Sequence, residues 1–160
     1  MAVLTGTSMS DLHLRILNPV MRTLIRRGIG SMAREMMVIH WIGKKSGRPL
    51  STPVSRFDAE GDFVFTTTPS GFRHNFASGW PAQLQLGRRL VPVTGQMVSD
   101  PEEVALRMLT VLDTHGLKRG QRNLGINMTD RPDQQELTEF VAETGWSILD
   151  FTPTEEAPPA

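Results

Sequence analysis

The stretch Gly43-Lys44-Lys45-Ser46-Gly47-Arg48-Pro49-Leu50-Ser51-Thr52-Pro53-Val54 decides how this 160-residue chain is read. Before it, Met36-Met37-Val38-Ile39-His40-Trp41-Ile42 is a short apolar run rich in β-formers. After it, Leu50 to Phe57 alternates loosely, as a half-buried strand does. Two glycines therefore bracket a tight connection between two strands. That connection carries Lys44, Lys45 and Arg48, the Ser46 hydroxyl, and a backbone that Gly43 and Gly47 leave open to close approach. A concave loop of this kind can cradle phosphate or carboxylate with its N–H groups. The competing reading is a charged hairpin turn that only keeps the surface soluble, and spacing alone does not separate the two.

Downstream, the strand signals continue to Val98. Asp58 to Asp62 reads as a turn, and Phe63-Val64-Phe65-Thr66-Thr67-Thr68 as a strand ended by Pro69-Ser70-Gly71. Phe72 to Gly79 suits a helical turn or two. Gln83 to Leu86 alternates, Gly87-Arg88 turns the chain, and Arg89 to Val98 runs back as its partner, with Pro92 marking an edge or a bulge. Asp100-Pro101-Glu102-Glu103 has the spacing of a capping box, and Val104, Ala105, Met108, Leu109 and Leu112 form the stripe of a helix that Gly116 ends. Gly116 to Asp130 reads as an irregular basic loop, Pro132 to Thr144 as a second helix, and Trp146 to Phe151 as a last strand.

Upstream, residues 1–17 read as a flexible segment. Asn18-Pro19 opens a helix over 18–28 that Gly28 stops. Val20, Met21, Leu24 and Ile25 share a face, with Arg22, Arg26 and Arg27 mainly off it. The plain expectation is an amphipathic helix closing the core. The alternative is peripheral contact with anionic lipid through that helix. Residues 152–160 read as a disordered tail, which leaves one domain over 18–151. Consecutive antiparallel strands with helices at the ends predict an α+β fold built on a small barrel.

Composition narrows the function classes. A hydrophobic content of 39% supports a folded core. The chain has no cysteine, hence no disulfide and no thiolate metal site. No signal-peptide pattern opens it and no apolar run approaches a membrane span, so a cytoplasmic location is expected. Net charge is zero but unevenly spread: residues 1–56 carry nine Lys/Arg against two acids, while residues 101–160 carry five against eleven. An electropositive first third suits an anionic ligand. The acidic last third, and too few aromatics near the basic loop, argue against a nucleic-acid partner. The four histidines stand in no metal-ligand spacing, so no metal is expected. There is no Gly-x-Ser-x-Gly elbow, no Gly-x-Gly-x-x-Gly after a strand, and no tyrosine. The hard chemistry, if any, is then a bound cofactor's. A second polar constellation, Thr66-Thr67-Thr68-Pro69-Ser70-Gly71-Phe72-Arg73-His74-Asn75-Phe76, follows a strand end and offers Arg73 for phosphate and Asn75 for a ring carbonyl. The threonines equally suit a solvated strand face, and Asn75 a local cap.

Together these stretches resemble the deazaflavin-dependent nitroreductase and quinone reductase family, split-barrel proteins that use coenzyme F420. Gly43-Lys44-Lys45-Ser46-Gly47-Arg48-Pro49 with Thr52-Pro53-Val54 is similar to that family's Gly-basic-basic-Ser/Thr-Gly-x-Pro loop and its sequel. Phe72-Arg73-His74-Asn75-Phe76 resembles its Trp-x-x-Asn-Leu, and Asp100-Pro101-Glu102-Glu103 its acidic helix start. The resemblance implies a split β-barrel of about six antiparallel strands with flanking helices, often paired as a homodimer. It implies coenzyme F420, with FMN as the alternative, and hydride transfer to a small organic acceptor such as a quinone or nitro compound. The cofactor's phosphorylated tail would lie against Lys44, Lys45, Ser46 and Gly47, with Arg48 and Arg73 as further anion partners. Its ring would rest by Thr52, Pro53 and Val54, near Thr67 and Asn75. The chain departs from the pattern at Leu50, where the family often has Arg, at Pro69-Ser70, where many members carry Lys, and at Phe72, which replaces Trp. A second expectation keeps the barrel and drops the redox chemistry: a non-catalytic protein binding a fatty acid, flavin or other hydrophobic ligand, for which Met32, Met36 and Met37 would give an adaptable wall.

Overall fold

The two strands on either side of the glycine-bracketed turn are β2 (Met36–Ile42) and β3 (Pro49–Ser55) in a computed structural model, which describes residues 4–6, 35–58 and 64–154. They pair antiparallel, Trp41 opposite Leu50, Ile39 opposite Thr52 and Met37 opposite Val54. Because side chains alternate, these residues share one face, and His40–Ser51 and Val38–Pro53 share the other.

The sheet continues through β4 (Phe57–Asp58), β5 (Val64–Thr68), β6 (Trp80–Leu86), β7 (Arg89–Val98) and, far along the chain, β9 (Ser147–Pro153). Its order is β3-β2-β6-β7-β9-β5-β4, every neighbour antiparallel, so seven strands stand where about six are expected. β3 and β5 touch although four strands separate them in that order. Only a curled sheet brings them together, and the result is a half-barrel. Its inner face is packed by Met37, Ile39, Leu84, Leu149 and Phe151, with Phe76 plugging one end. Gly95 on β7 makes room for that plug. A Cβ there would lie 2.5 Å from the Phe76 ring and 2.9 Å from that of Phe151.

Helices cover half of the outer face. α1 (Pro101–His115) starts as the sequence predicts: the Asp100 carboxylate accepts from the Glu103 N–H at 3.2 Å. α3 (Gln134–Thr144) starts at a full capping box between Asp133 and Glu136, two residues later than the sequence reading put it. Met108, Leu137 and Phe140 from these helices pack with Phe65 and Ile148 of the sheet. The Arg107 guanidinium forks onto Asp150 of β9 at 2.6 and 2.8 Å and stacks 4.8 Å from the Phe65 ring. The hydrogen bonds from Arg107 to the Asp150 carboxylate hold its pKa above the usual guanidinium value, against the opposing effect of burial.

The segment read as an irregular loop, Gly116 to Asp130, is ordered instead. It holds α2 (Leu117–Leu124) and β8 (Ile126–Met128), which pairs with β1 (Leu4–Gly6) in a separate two-stranded sheet. The helical period was hidden because α2 buries only Gly120 and Leu124. Gly116 and Gly125, at φ 81° and 74°, punctuate it at both ends. Residues 4–6 thus form a strand within the stretch expected to be flexible, and β9 runs two residues into the expected tail. The helix over 18–28, with its lipid contact, and the turn over 59–62 lie outside the described residues. Among the described residues, no helix is long and apolar enough to cross a membrane.

Candidate functional site

The turn from Gly43 to Arg48 closes on itself. The Gly47 N–H donates to the Gly43 carbonyl at 2.9 Å and the Gly43 N–H to the Arg48 carbonyl at 2.8 Å. Gly47 sits at φ 66°, where a side chain would be strained. The Arg48 N–H donates to the Ser46 hydroxyl at 3.3 Å, and that hydroxyl fills the space a Cβ on Gly43 would need. These bonds leave the N–H groups of Lys45 and Ser46 uncommitted at the exposed tip, beside the exposed side chains of Lys44, Lys45 and Arg48. Among the described residues none of the three cations is held in an ion pair. The turn is a cationic concavity with two amides to offer.

What fixes the turn in place is Asn75. It sits in a short 3-10 helix, Gly71–Phe76, that follows β5. Its Oδ1 accepts from the Lys44 N–H at 2.8 Å, and its Nδ2 donates to the Phe72 carbonyl at 2.9 Å. The buried Phe76 ring, edge-on to Phe151 at 5.8 Å, anchors that helix in the barrel end. The Lys44 ammonium lies 5.4 Å over the Trp80 ring and 3.3 Å from the Ser78 hydroxyl, and the Trp80 indole N–H donates to the Ile42 carbonyl at 2.8 Å. The turn is therefore tied to β6 as well as to its own strands.

At the foot of the turn opens a groove of about 600 Å³. Among the described residues it lies on the part of the outer face that α1, α2 and α3 do not cover. Ile42 and Leu50, 51% and 41% exposed, form its rim, and Trp80, Pro81 and Pro92 wall it. Its polar floor is a row across adjacent strands: Ser51 of β3 pairs with His40 of β2, His40 with Gln83 of β6, and Gln83 with Pro92 of β7. Among the described residues that line it none carries a fixed charge, so they form an apolar groove with one polar band, and the cationic turn stands beside it at Ile42 and Pro49. This is the size and lining of small-molecule sites in general.

The eleven residues singled out by sequence divide into three groups. Lys44, Lys45, Ser46, Gly47 and Arg48 form one turn, and Asn75 is bound to it. Thr52, Pro53 and Val54 follow along β3, but alternation splits them: Thr52 and Val54 face inward, Pro53 outward. Thr67 and Arg73 stand apart. Thr67 is opposite Ile148 and faces the helix layer, its hydroxyl buried without a partner. Arg73 spends its guanidinium on the carbonyls of Pro69 and Ser70, at 2.7 and 2.9 Å, and its other nitrogen lies beside Gly145. It braces the loop after β5 and does not reach the turn. Sequence reasoning missed His40, Ser51, Gln83 and Trp80. The signal was in β2, where His40 and Ile42 fall out of phase with the inward-facing Met37, Ile39 and Trp41.

No family model matches the chain, and no curated protein matches it. Among solved structures the chain is similar to an F420-H2 dependent reductase at 15% identity, covering 74% of this chain and 95% of the other with a TM-score of 0.43. It is similar to a second F420 reductase at 14% identity, covering 83% and 92% with a TM-score of 0.42. It also resembles an FAD and haem binding protein from Mycobacterium smegmatis at 12% identity, covering 96% and 75% with a TM-score of 0.42. At these values the likenesses carry no argument about chemistry, which rests on this chain's own turn and groove.

Proposed function

We propose that the protein is a deazaflavin-dependent oxidoreductase that passes a hydride from reduced coenzyme F420 to a small organic acceptor. The observation that carries this reading is the joining of a three-cation turn to an apolar groove through Trp80, which walls the groove, lies under the Lys44 ammonium and donates to the Ile42 carbonyl at the foot of the turn. A molecule with an acidic tail and a flat, largely apolar ring fits that pair of surfaces better than a simple anion or a simple lipid does. The Lys45 and Ser46 amides and the Lys44, Lys45 and Arg48 side chains would hold the phosphorylated tail. The groove beside Pro49 and Leu50 would hold the ring and exclude water from one side of it. When bound, the cofactor supplies a hydride that no side chain here can supply. On this reading neither Arg73, which is bonded to the Pro69 and Ser70 carbonyls, nor Thr67, which faces the helix layer, takes part in holding it. The motif resemblance adds the expectation of a homodimer.

The test is a fluorescence titration of reduced and oxidised F420 into the pure protein, repeated with Lys44→Ala/Lys45→Ala. Each charge-assisted hydrogen bond lost is worth about 1.5–3 kcal/mol, so the double variant is expected to weaken Kd at least about tenfold. Its fold should survive, because both side chains are exposed. Wild-type protein that binds neither form at high micromolar cofactor would overturn the proposal. One observation favours a second reading: Leu50 puts an exposed apolar side chain on the rim beside the cations. A non-catalytic site for a fatty acid or another hydrophobic ligand would use the same groove, and such a ligand would be found by mass spectrometry of the extracted protein.

A further inference from the structure

The reading above leaves a chemical gap, because reduction of a quinone takes a hydride and a proton. The chain has no tyrosine, and among the described residues no acidic side chain lines the groove. Among the described residues that line it, His40 is the one that can titrate near neutral pH. β3, β6 and β7 present Ser51, Gln83 and Pro92 to the same floor, none of which titrates there. The adjoining turn carries Lys44, Lys45 and Arg48, with Lys44 over Trp80 of the groove wall.

We propose that His40 is the proton donor of the reaction, held at the groove floor between its cross-strand neighbours Ser51 and Gln83. The inference rests on the oxidoreductase reading. Two features make this position suitable for a general acid. The imidazole is half-buried on a regular strand paired on both sides, so its backbone has little freedom to stray. The groove is open at the top, so the spent imidazole can be recharged from water. In the step, a quinone acceptor takes a hydride from reduced deazaflavin, which is oxidised by two electrons and releases its other proton to solvent. The imidazolium N–H bond breaks, an O–H bond forms on the quinone oxygen, and the hydroquinone leaves. Neutral His40 then takes a proton from water. Ser51 and Gln83 are positioning residues in this scheme. They flank His40 as its cross-strand neighbours and do not exchange the transferred proton.

The experiment has two arms, both with menadione as acceptor. In the first, single-turnover oxidation of bound reduced F420 is followed for wild type and His40→Gln across pH, after each protein's cofactor affinity has been measured. A working general acid contributes about 10²–10⁴-fold, so the variant should be slower by at least about 10². The wild-type rate should fall as pH rises through the imidazolium pKa, while the variant's rate stays flat. In the second arm, the His40 ring proton is followed by NMR as menadione is added to protein saturated with oxidised F420. Only four histidines are present, so the signal is assigned by its loss in His40→Gln. Should that chain not fold, assignment follows by elimination with His13→Gln, His74→Gln and His115→Gln. A His40 signal that shifts with menadione supports the proposal, and one that stays put overturns it. Bound cofactor with an unchanged rate and pH profile in His40→Gln overturns this inference alone. Wild type that fails to bind F420 overturns the oxidoreductase reading and this inference with it.

Discussion

Asn75 shows how one residue can be legible in type and not in role. Its place after a strand end, near Arg73 and His74, marks it as a ligand for a ring carbonyl or as a helix cap. In the fold it spends one bond on Phe72 inside its own 3-10 helix and the other on the Lys44 amide across the molecule. No spacing rule reveals a partner 31 residues away. Asn75→Ala removes both bonds and leaves the Lys44 N–H without its acceptor. Each such bond is worth about 0.5–1.5 kcal/mol, so the variant should lose about 1–2 kcal/mol of stability, measured by urea unfolding. The more telling readout is the turn. Amide hydrogen exchange at Lys44 should rise sharply in the variant while exchange within β6 and β7 stays at wild-type levels. Equal exchange at Lys44 in both proteins would mean that the turn holds its shape without the clip.

At the scale of elements, strands and helices with strong patterns were readable and α2 was not. β7 runs from Arg89 to Val98 as its alternation predicts, and α1 keeps its expected start and stop; its buried stripe holds Val104, Ala105, Met108 and Leu112 as expected, with Val111 buried and Leu109 only partly so. α2 failed because five of its eight residues are Lys, Arg, Gln or Asn, and its contact with α1 runs through Gly120 against Leu112. A glycine chosen for close approach leaves no apolar mark in the sequence. The attachment of α1 to the sheet was equally invisible, since Arg107 and Asp150 lie 43 residues apart. Arg107→Met keeps the contact with Phe65 and removes the fork. Both partners are about one-fifth exposed, so solvent screening trims the effect, and the loss should be about 1–2 kcal/mol in denaturant unfolding. The sign with pH follows from the raised Arg107 pKa. Its contribution is fully present below the ordinary guanidinium value and is lost only as pH rises through the still higher folded value. From Arg107, then, the gap between wild type and variant should be flat from about pH 6 to about pH 9. A gap that closes within that window would place the titrating group elsewhere.

The whole molecule is a curled seven-strand sheet whose outer face is divided in two. Among the described residues, one part is sealed by α1, α2 and α3, and another holds a groove beside the cationic turn. The α+β class and the barrel were legible because hairpins with short turns and alternating faces leave few other closures. The cationic turn was legible because glycines and cations sit together in one heptapeptide. The groove was not legible. It is assembled from β2, β3, β6 and β7, and which faces meet there depends on sheet curvature that no local pattern encodes. For the same reason Thr67, read as part of the site, turns to the opposite layer.

If turn and groove act as one site, amide and indole NMR on the labelled protein will show both responding to one ligand. Adding oxidised F420 should shift the amides of Lys45 and Ser46 together with the Trp80 indole N–H and the His40 and Ser51 amides, leaving α1 and α3 unmoved. Shifts confined to the turn, shifts mapping to the helix layer, or none at saturating cofactor would show that turn and groove do not share a ligand.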